Sequence, residues 1–137
     1  MTLEGLPAWA GGLLETARVG RLGLLDEGDL PRVLPVTFAV FEGAVWSAID
    51  HKPKRTAEPA RVRRLRRRPS AALLVDRYDE DWTRLAWVEL RGPVSVEPLG
   101  PALEALAGKY PQYTEQPPQG PLLRLAPERS TWWRAEG

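Results

Sequence analysis

The run Val45-Trp46-Ser47-Ala48-Ile49-Asp50-His51-Lys52-Pro53-Lys54-Arg55 constrains this chain more than any other stretch, because a strand-like segment empties directly into three cations. A strand end of that kind faces something anionic. Lys52, Lys54 and Arg55 follow the strand at once and Pro53 stiffens the segment between them, so their charge converges on one point. Taken alone, the segment fits an ordinary lysine-rich turn equally well.

The chain around this run reads as a β-framework. Val19 to Leu25 and Arg32 to Phe41 are apolar and extended, and Asp26-Glu27-Gly28-Asp29 between them carries turn chemistry, which predicts a β-hairpin. Leu34, Val36, Phe38 and Val40 alternate with Val33, Thr37, Ala39 and Phe41, so both faces of the second arm are expected to be covered. Pro35 cannot donate a ladder hydrogen bond, which places it at a bulge or on an edge. Glu42-Gly43 has the length of a tight connection into the strand Val45–Asp50.

Beyond the cations a helix is expected from about Pro59, with Val62 and Leu65 as a narrow apolar stripe and Pro69 as its stop. Ala71 to Val75 is a buried strand, and Arg84 to Glu97 is long enough for a bent one with its kink at Gly92-Pro93. Short helices are expected from Pro7, on Leu6, Trp9, Leu13, Leu14 and Ala17, and from Pro101, ending at Pro111. Leu122–Leu125 and Ser130–Arg134 complete the set. Strands that follow one another without regular helical crossovers argue against a doubly wound parallel sheet and for a small antiparallel barrel.

With 137 residues the chain fits a single domain over 1–137. It has no cysteine and one histidine, which excludes disulfides, thiolate nucleophiles and Cys/His zinc centres. The opening residues Met1-Thr2-Leu3-Glu4-Gly5 show no basic leader, and no stretch reaches the roughly 20 apolar residues of a membrane-spanning helix. A soluble, cytoplasmic protein without a membrane partner is expected.

The net charge of +1 conceals an asymmetry: residues 52–68 hold nine Lys or Arg against Glu58 alone. Arg61, Arg63, Arg64, Arg66, Arg67 and Arg68 surround their helix, which fits a solvated face, a contribution to binding an anionic small molecule, or contact with nucleic acid. No helix–turn–helix or zinc-finger context accompanies them, so nucleic acid is an unlikely partner.

The Gly-rich dinucleotide signature, the P-loop and the hydrolase nucleophile elbow are all absent. Ser47, Asp50 and His51 contain the letters of a catalytic triad but lie too close along one strand for its geometry. His51 lacks His or Cys partners for a metal, and Asp79, Glu80 and Asp81 are expected to be a solvated turn. No metal site is assigned.

Arg32-Val33-Leu34-Pro35-Val36, Trp46 to Arg55 and Ala72-Leu73-Leu74-Val75-Asp76 together resemble the pyridoxamine 5'-phosphate oxidase-like split β-barrel family. Tyr78 to Trp82, Trp87 to Gly92 and Lys109-Tyr110-Pro111-Gln112-Tyr113 are similar to its deazaflavin (coenzyme F-420)-dependent oxidoreductase branch. The resemblance spans about residues 15–134. It implies a mainly β (α+β) antiparallel split barrel of six or seven strands with two or three short helices, of the FMN-binding type.

It also implies an oxidoreductase that transfers hydride between coenzyme F-420 or FMN and a small organic substrate, with the cofactor at a homodimer interface. A carrier or sensor that binds the cofactor without turnover is the alternative. The ring edge would lie against Arg32, Val33, Leu34, Pro35 and Val36, and Lys52, Lys54 and Arg55 would take the phosphate. Ser47, Ala48, Ile49 and Asp50 would line the ring or ribityl chain, and Trp82, Arg84 and Trp87 would reach over from the second subunit. If the cofactor is F-420, the Arg61–Arg68 helix offers a path for its polyglutamate tail. The Ser-Arg-Lys motif of the vitamin B6 oxidases is replaced here by His51-Lys52-Pro53-Lys54, so that reaction is not expected.

Overall fold

Asp26 makes the first turn. Its Oδ1 accepts from the backbone N–H of Gly28 at 2.9 Å and of Leu30 at 3.0 Å, and Asp29 takes φ 61°, a value that Asp tolerates better than most residues. In the computed structural model, which describes residues 3–49 and 58–136, this turn joins β1 (Gly20–Leu25) to β2 (Pro31–Val36) in antiparallel register from Gly20↔Val36 to Leu25↔Pro31. At Glu42 and Gly43 both φ values are positive, 50° and 73°, the pattern of a type I′ hairpin, and β3 (Ala39–Phe41) folds back on β4 (Ala44–Ala48).

Four further strands follow: β5 (Ser70–Arg77), β6 (Ala86–Glu97), β7 (Leu122–Leu125) and β8 (Arg129–Arg134). All pairings are antiparallel in the order β2-β1-β5-β6-β7-β4-β3, with β8 on β6, so the described residues form eight strands where six or seven were expected. The added strand comes from the second arm of the hairpin, which is two strands and not one. It breaks at Thr37-Phe38, where the backbone turns to side-chain partners. Pro35 lies on β2, at the end of the strand order, as its missing donor requires.

β6 belongs to both halves of the sheet. Its first part lies between β5 and β8, and Val94 to Glu97 pair with β7. The change of partner falls at Gly92, where a Cβ would collide with the carbonyl oxygen of Ala126 on the β7–β8 connection. Only glycine lets the two backbones pass this closely. Ala126 N–H donates to Pro93 O and Glu128 N–H to Arg91 O, each at 2.9 Å, fastening that connection to β6 on both sides of the glycine.

Among the described residues four α-helices close the barrel, one of them a single turn, against the two or three expected: α1 (Ala8–Thr16), α2 (Ala60–Arg67), α3 (Ala102–Lys109) and α4 (Gln112–Glu115). α2 starts after Pro59 and buries the expected stripe of Val62 and Leu65. The main core fills the barrel, with Phe38, Leu14, Leu65, Leu73 and Leu90 among its fully buried side chains, and a smaller cluster of Ala39, Ala48, Ala102, Leu106, Tyr110 and Leu122 lies under α3. No described helix is long and apolar enough to cross a membrane.

Candidate site at the barrel seam

β2 opens the strand order and β4 and β3 close it, yet the two ends meet. Ser47 on β4, 7 % exposed, donates its hydroxyl to the Thr37 carbonyl just past β2 at 2.6 Å. One residue on, Phe38 N–H donates to the Tyr110 hydroxyl at 3.2 Å, and that hydroxyl donates to Arg18 O at 3.1 Å. Thr37 Oγ1 and the Tyr113 hydroxyl share a hydrogen bond of 2.7 Å. The backbone between β2 and β3 is therefore satisfied by side chains from β4 and α3, which is why the extended pattern of 32–41 does not continue as one strand.

Lys109 sits behind this linkage. Its Nζ lies 3.7 Å from the Phe38 ring centroid and 5.5 Å from that of Tyr110, and it donates to Leu14 O at 3.1 Å. The Arg18 guanidinium covers the other part of Tyr110 at 4.7 Å and donates to Lys109 O at 2.7 Å. Burial first, then repulsion from Arg18, lowers the Lys109 ammonium to about 8, against the Glu15 carboxylate, which favours the charged form. Burial pushes the Tyr110 phenol up, so it stays protonated as a donor.

Outside the seam lies an open cleft of about 150 Å³ lined by Val19, Pro35, Val36, Thr37, Ala48 and Arg61. Three of the expected site residues, Pro35, Val36 and Ala48, are brought together here from the two ends of the sheet. Arg61, at the start of α2, has no ion pair among the described residues. Thr37, Val19 and Arg61 had no individual role in the sequence reading. Only the register of the strands reveals that they converge.

The other expected residues are dispersed. Arg32 is 3.8 Å from Asp26, Val33 is exposed on the outer face of β2, and Leu34 packs inward on the core. Ser47 and Ile49 are buried, with the Ser47 hydroxyl committed to Thr37. Asp50, Lys52, Lys54 and Arg55 lie outside the described residues. Trp82 is exposed with its indole N–H 3.4 Å from the Tyr78 hydroxyl, Arg84 pairs with Asp79 at 3.1 Å, and Trp87 stands on β6 between Asp76 and Trp133. These three belong to the β5–β6 connection and the start of β6, and none of them lines the cleft.

The arginine helix is largely neutralised by the chain itself. Arg64 pairs with Glu27 at 3.1 Å, Arg66 with Glu58 at 2.7 Å, and Arg67 and Arg68 with Asp29 at 3.2 and 3.0 Å. The carboxyls of Glu27 and Glu58 are lowered by their arginine hydrogen bonds, and that of Asp26 chiefly by the Leu30 N–H. The turn at 26–29 thus supplies two carboxylates, Glu27 and Asp29, to the arginines of α2 and its C-terminal end, and the Asp26 backbone carbonyl accepts from Arg67 at 3.2 Å. Asp79 and Asp81 likewise serve local structure: Asp81 Oδ1 accepts from the Thr83 N–H at 3.1 Å and the Thr83 hydroxyl at 2.7 Å, capping the turn Trp82–Arg84.

No family model matches the sequence, and no curated protein matches it. Solved structures do. A conserved hypothetical protein of Mycobacterium tuberculosis superposes with a TM-score of 0.76 at 19 % identity, covering 94 % of this chain and 84 % of its own. An FAD-binding protein of Mesorhizobium loti gives 0.67 at 17 % identity over 93 % of this chain and 94 % of its own. An F-420 reductase gives 0.65 at 20 % identity over 92 % and 98 %. The chain has the antiparallel split-barrel fold of the pyridoxamine 5'-phosphate oxidase-like proteins.

Proposed function

We propose that this chain binds FMN or coenzyme F-420 at the barrel seam, as a homodimer, and uses it to move hydride to or from a small organic molecule. The observation that carries this reading is the cleft between β2 and β4, where apolar walls from Val19, Pro35, Val36 and Ala48 stand beside the guanidinium of Arg61, which has no ion pair among the described residues. Apolar walls suit a planar ring and a fixed cation suits its anionic appendage. The shared fold with proteins named for FAD and F-420 supports the same assignment.

A cleft of about 150 Å³ falls below the roughly 300–1,000 Å³ of ligand pockets. One protomer therefore supplies part of the site and a second copy completes it, contributing Trp82, Arg84 and Trp87. Exposed Val33, Leu74 and Trp133 on the outer face of the same sheet support a partner there. Lys52, Lys54 and Arg55 are assigned to the phosphate. Because Arg64, Arg66, Arg67 and Arg68 are held by the chain's own carboxylates, a polyglutamate tail would have to displace those pairs; of the two arginines that remain, Arg63 donates to the Glu58 carbonyl and Arg61 lines the cleft, so Arg61 is the cation assigned to the ligand.

The bound cofactor supplies the hydride chemistry. The lining residues exclude water and hold the ring edge, and Arg61 favours negative charge beside it. Among the described lining residues Thr37 carries the only hydroxyl, and it is engaged by Tyr113. A carrier that binds cofactor without turnover is the second reading.

Side-by-side titration of the apo-protein with FMN and F-420 tests the assignment. Saturable binding of one of them is expected, with Arg61→Ala and Lys54→Ala each weakening it about tenfold at unchanged fold. Binding of neither overturns the proposal. Oxidation of the bound reduced cofactor by a panel of small acceptors then separates enzyme from carrier.

A further inference from the structure

We infer a second ligand site, for a phosphate-type dianion, at the end of β5 and β8. Arg77 and Arg134 stand on either side of Ala86 in exact cross-strand register, Arg77↔Ala86 and Ala86↔Arg134, so all three residues share one face of the sheet. Two interstrand spacings separate the arginines, roughly 10 Å. Ala86 between them is buried and small, and the rim beyond it is left open as a depression of about 720 Å³ lined by Arg77, Thr83, Arg84, Arg134, Ala135 and Glu136.

Both arms are held in place without being neutralised. Arg77 Nε donates to Arg84 O at 2.7 Å, and the Arg134 guanidinium lies 5.3 Å from the Trp9 ring centroid. Neither has a carboxylate partner among the described residues, in contrast to the arginines of α2. Arg84 forms the third wall, with its Nε on Asp79 and its remaining N–H groups outside that bond. Glu136 opposes the positive field, and Asp79 offsets Arg84. The guanidinium groups of Arg77, Arg84 and Arg134 outnumber these two carboxylates.

Three guanidinium groups arriving from two strands and a turn match a tetrahedral group, whose oxygens point in several directions, better than a planar carboxylate, which accepts a fork in one plane. Side chains held by stacking and by a backbone carbonyl lose less freedom on binding, so the site is preorganised. The depression shares no residue with the seam cleft of its own protomer, and of its walls only Arg84 is also assigned to a second copy's cofactor. The flanking pair Arg77 and Arg134 has no part in the flavin reading.

Calorimetric titration of the full chain with inorganic pyrophosphate at low ionic strength tests it. One saturable site per chain is expected, weakened about tenfold by Arg134→Gln and by Arg77→Gln and tightened by Glu136→Gln. Arg77 supports the Arg84 carbonyl, so Arg134→Gln, which removes no hydrogen bond of the fold, is the deciding variant, with circular dichroism as the check on folding. Equal weakening by Arg67→Gln would reveal general cationic attraction and overturn the site, as would absence of saturation. Loss of pyrophosphate binding in Arg61→Gln with retention in Arg134→Gln would place the anion at the seam and also overturn it.

Discussion

Ser47 and Thr37 hold the barrel closed: a buried hydroxyl on β4 donates to a backbone carbonyl beyond the end of β2 at 2.6 Å, across strands that are not ladder partners. The same bond sets the spacing of Val36 and Ala48 across the cleft.

Removing that hydroxyl leaves a half-buried carbonyl short of a donor, and Ser47→Ala is expected to cost about 1 kcal/mol in urea denaturation. Cofactor affinity should fall in parallel. A variant with unchanged stability would show that the seam closes without this bond.

At Gly92 the backbone of the β7–β8 connection occupies the space of a side chain. Gly92→Ala should destabilise the protein by about 3 kcal/mol, near the upper end of overpacking costs, since backbone and not a flexible side-chain end must move. Gly11→Ala, with nothing near its Cβ position, is the matched control and should be neutral or mildly stabilising.

Lys109 gives the stability a pH dependence of defined sign. Its folded value of about 8 lies below the ordinary lysine value of 10.5, so between those limits the unfolded chain binds the proton that the folded chain releases. Stability should rise with pH from about 8 towards 10, and the penalty for charging Lys109 should be fully present below 8. Above about 10 Tyr110, kept protonated by burial, acts in the opposite direction. Lys109→Met should flatten the rise between 8 and 10; an unchanged slope in denaturation curves would assign it to another group.

The ion pairs of α2 predict weak attraction to nucleic acid. Retention of duplex DNA should vanish at physiological salt, and the double variant Glu27→Gln, Asp29→Asn should increase it by freeing Arg64, Arg67 and Arg68. Strong binding by the parent chain would show that the helix reads phosphate despite its partners.

What the sequence reveals and conceals follows the reach of each interaction. Asp26–Asp29, Glu42-Gly43, Pro59 and Pro101 act within a few residues, and each is legible where it stands; Gly92-Pro93 is legible as a kink, while the Ala126 backbone that requires the glycine is distant in sequence. Pro35, Val36 and Ala48 are legible as members of two stretches, and their resemblance to known split barrels points to one site. The break at Thr37-Phe38 is not legible, because its cause is Ser47, Tyr110 and Tyr113, distant in sequence. The arginines of α2 read as free charge for the same reason: their carboxylates lie mainly in the β1–β2 turn. Arg77 and Arg134 become neighbours only through the register of β6.

Four strands stand between β2 and β4 in the sheet order, and both strands contribute to the cleft wall. The opening is therefore an accumulated quantity, fixed by the small rotation between each successive pair around the ring. A few degrees gained or lost at β5 and β6 emerge at the opposite side as a change of gap. Substitutions that never approach the ligand can tune what fits, and the seam acts as the gauge on which the whole barrel's twist is read.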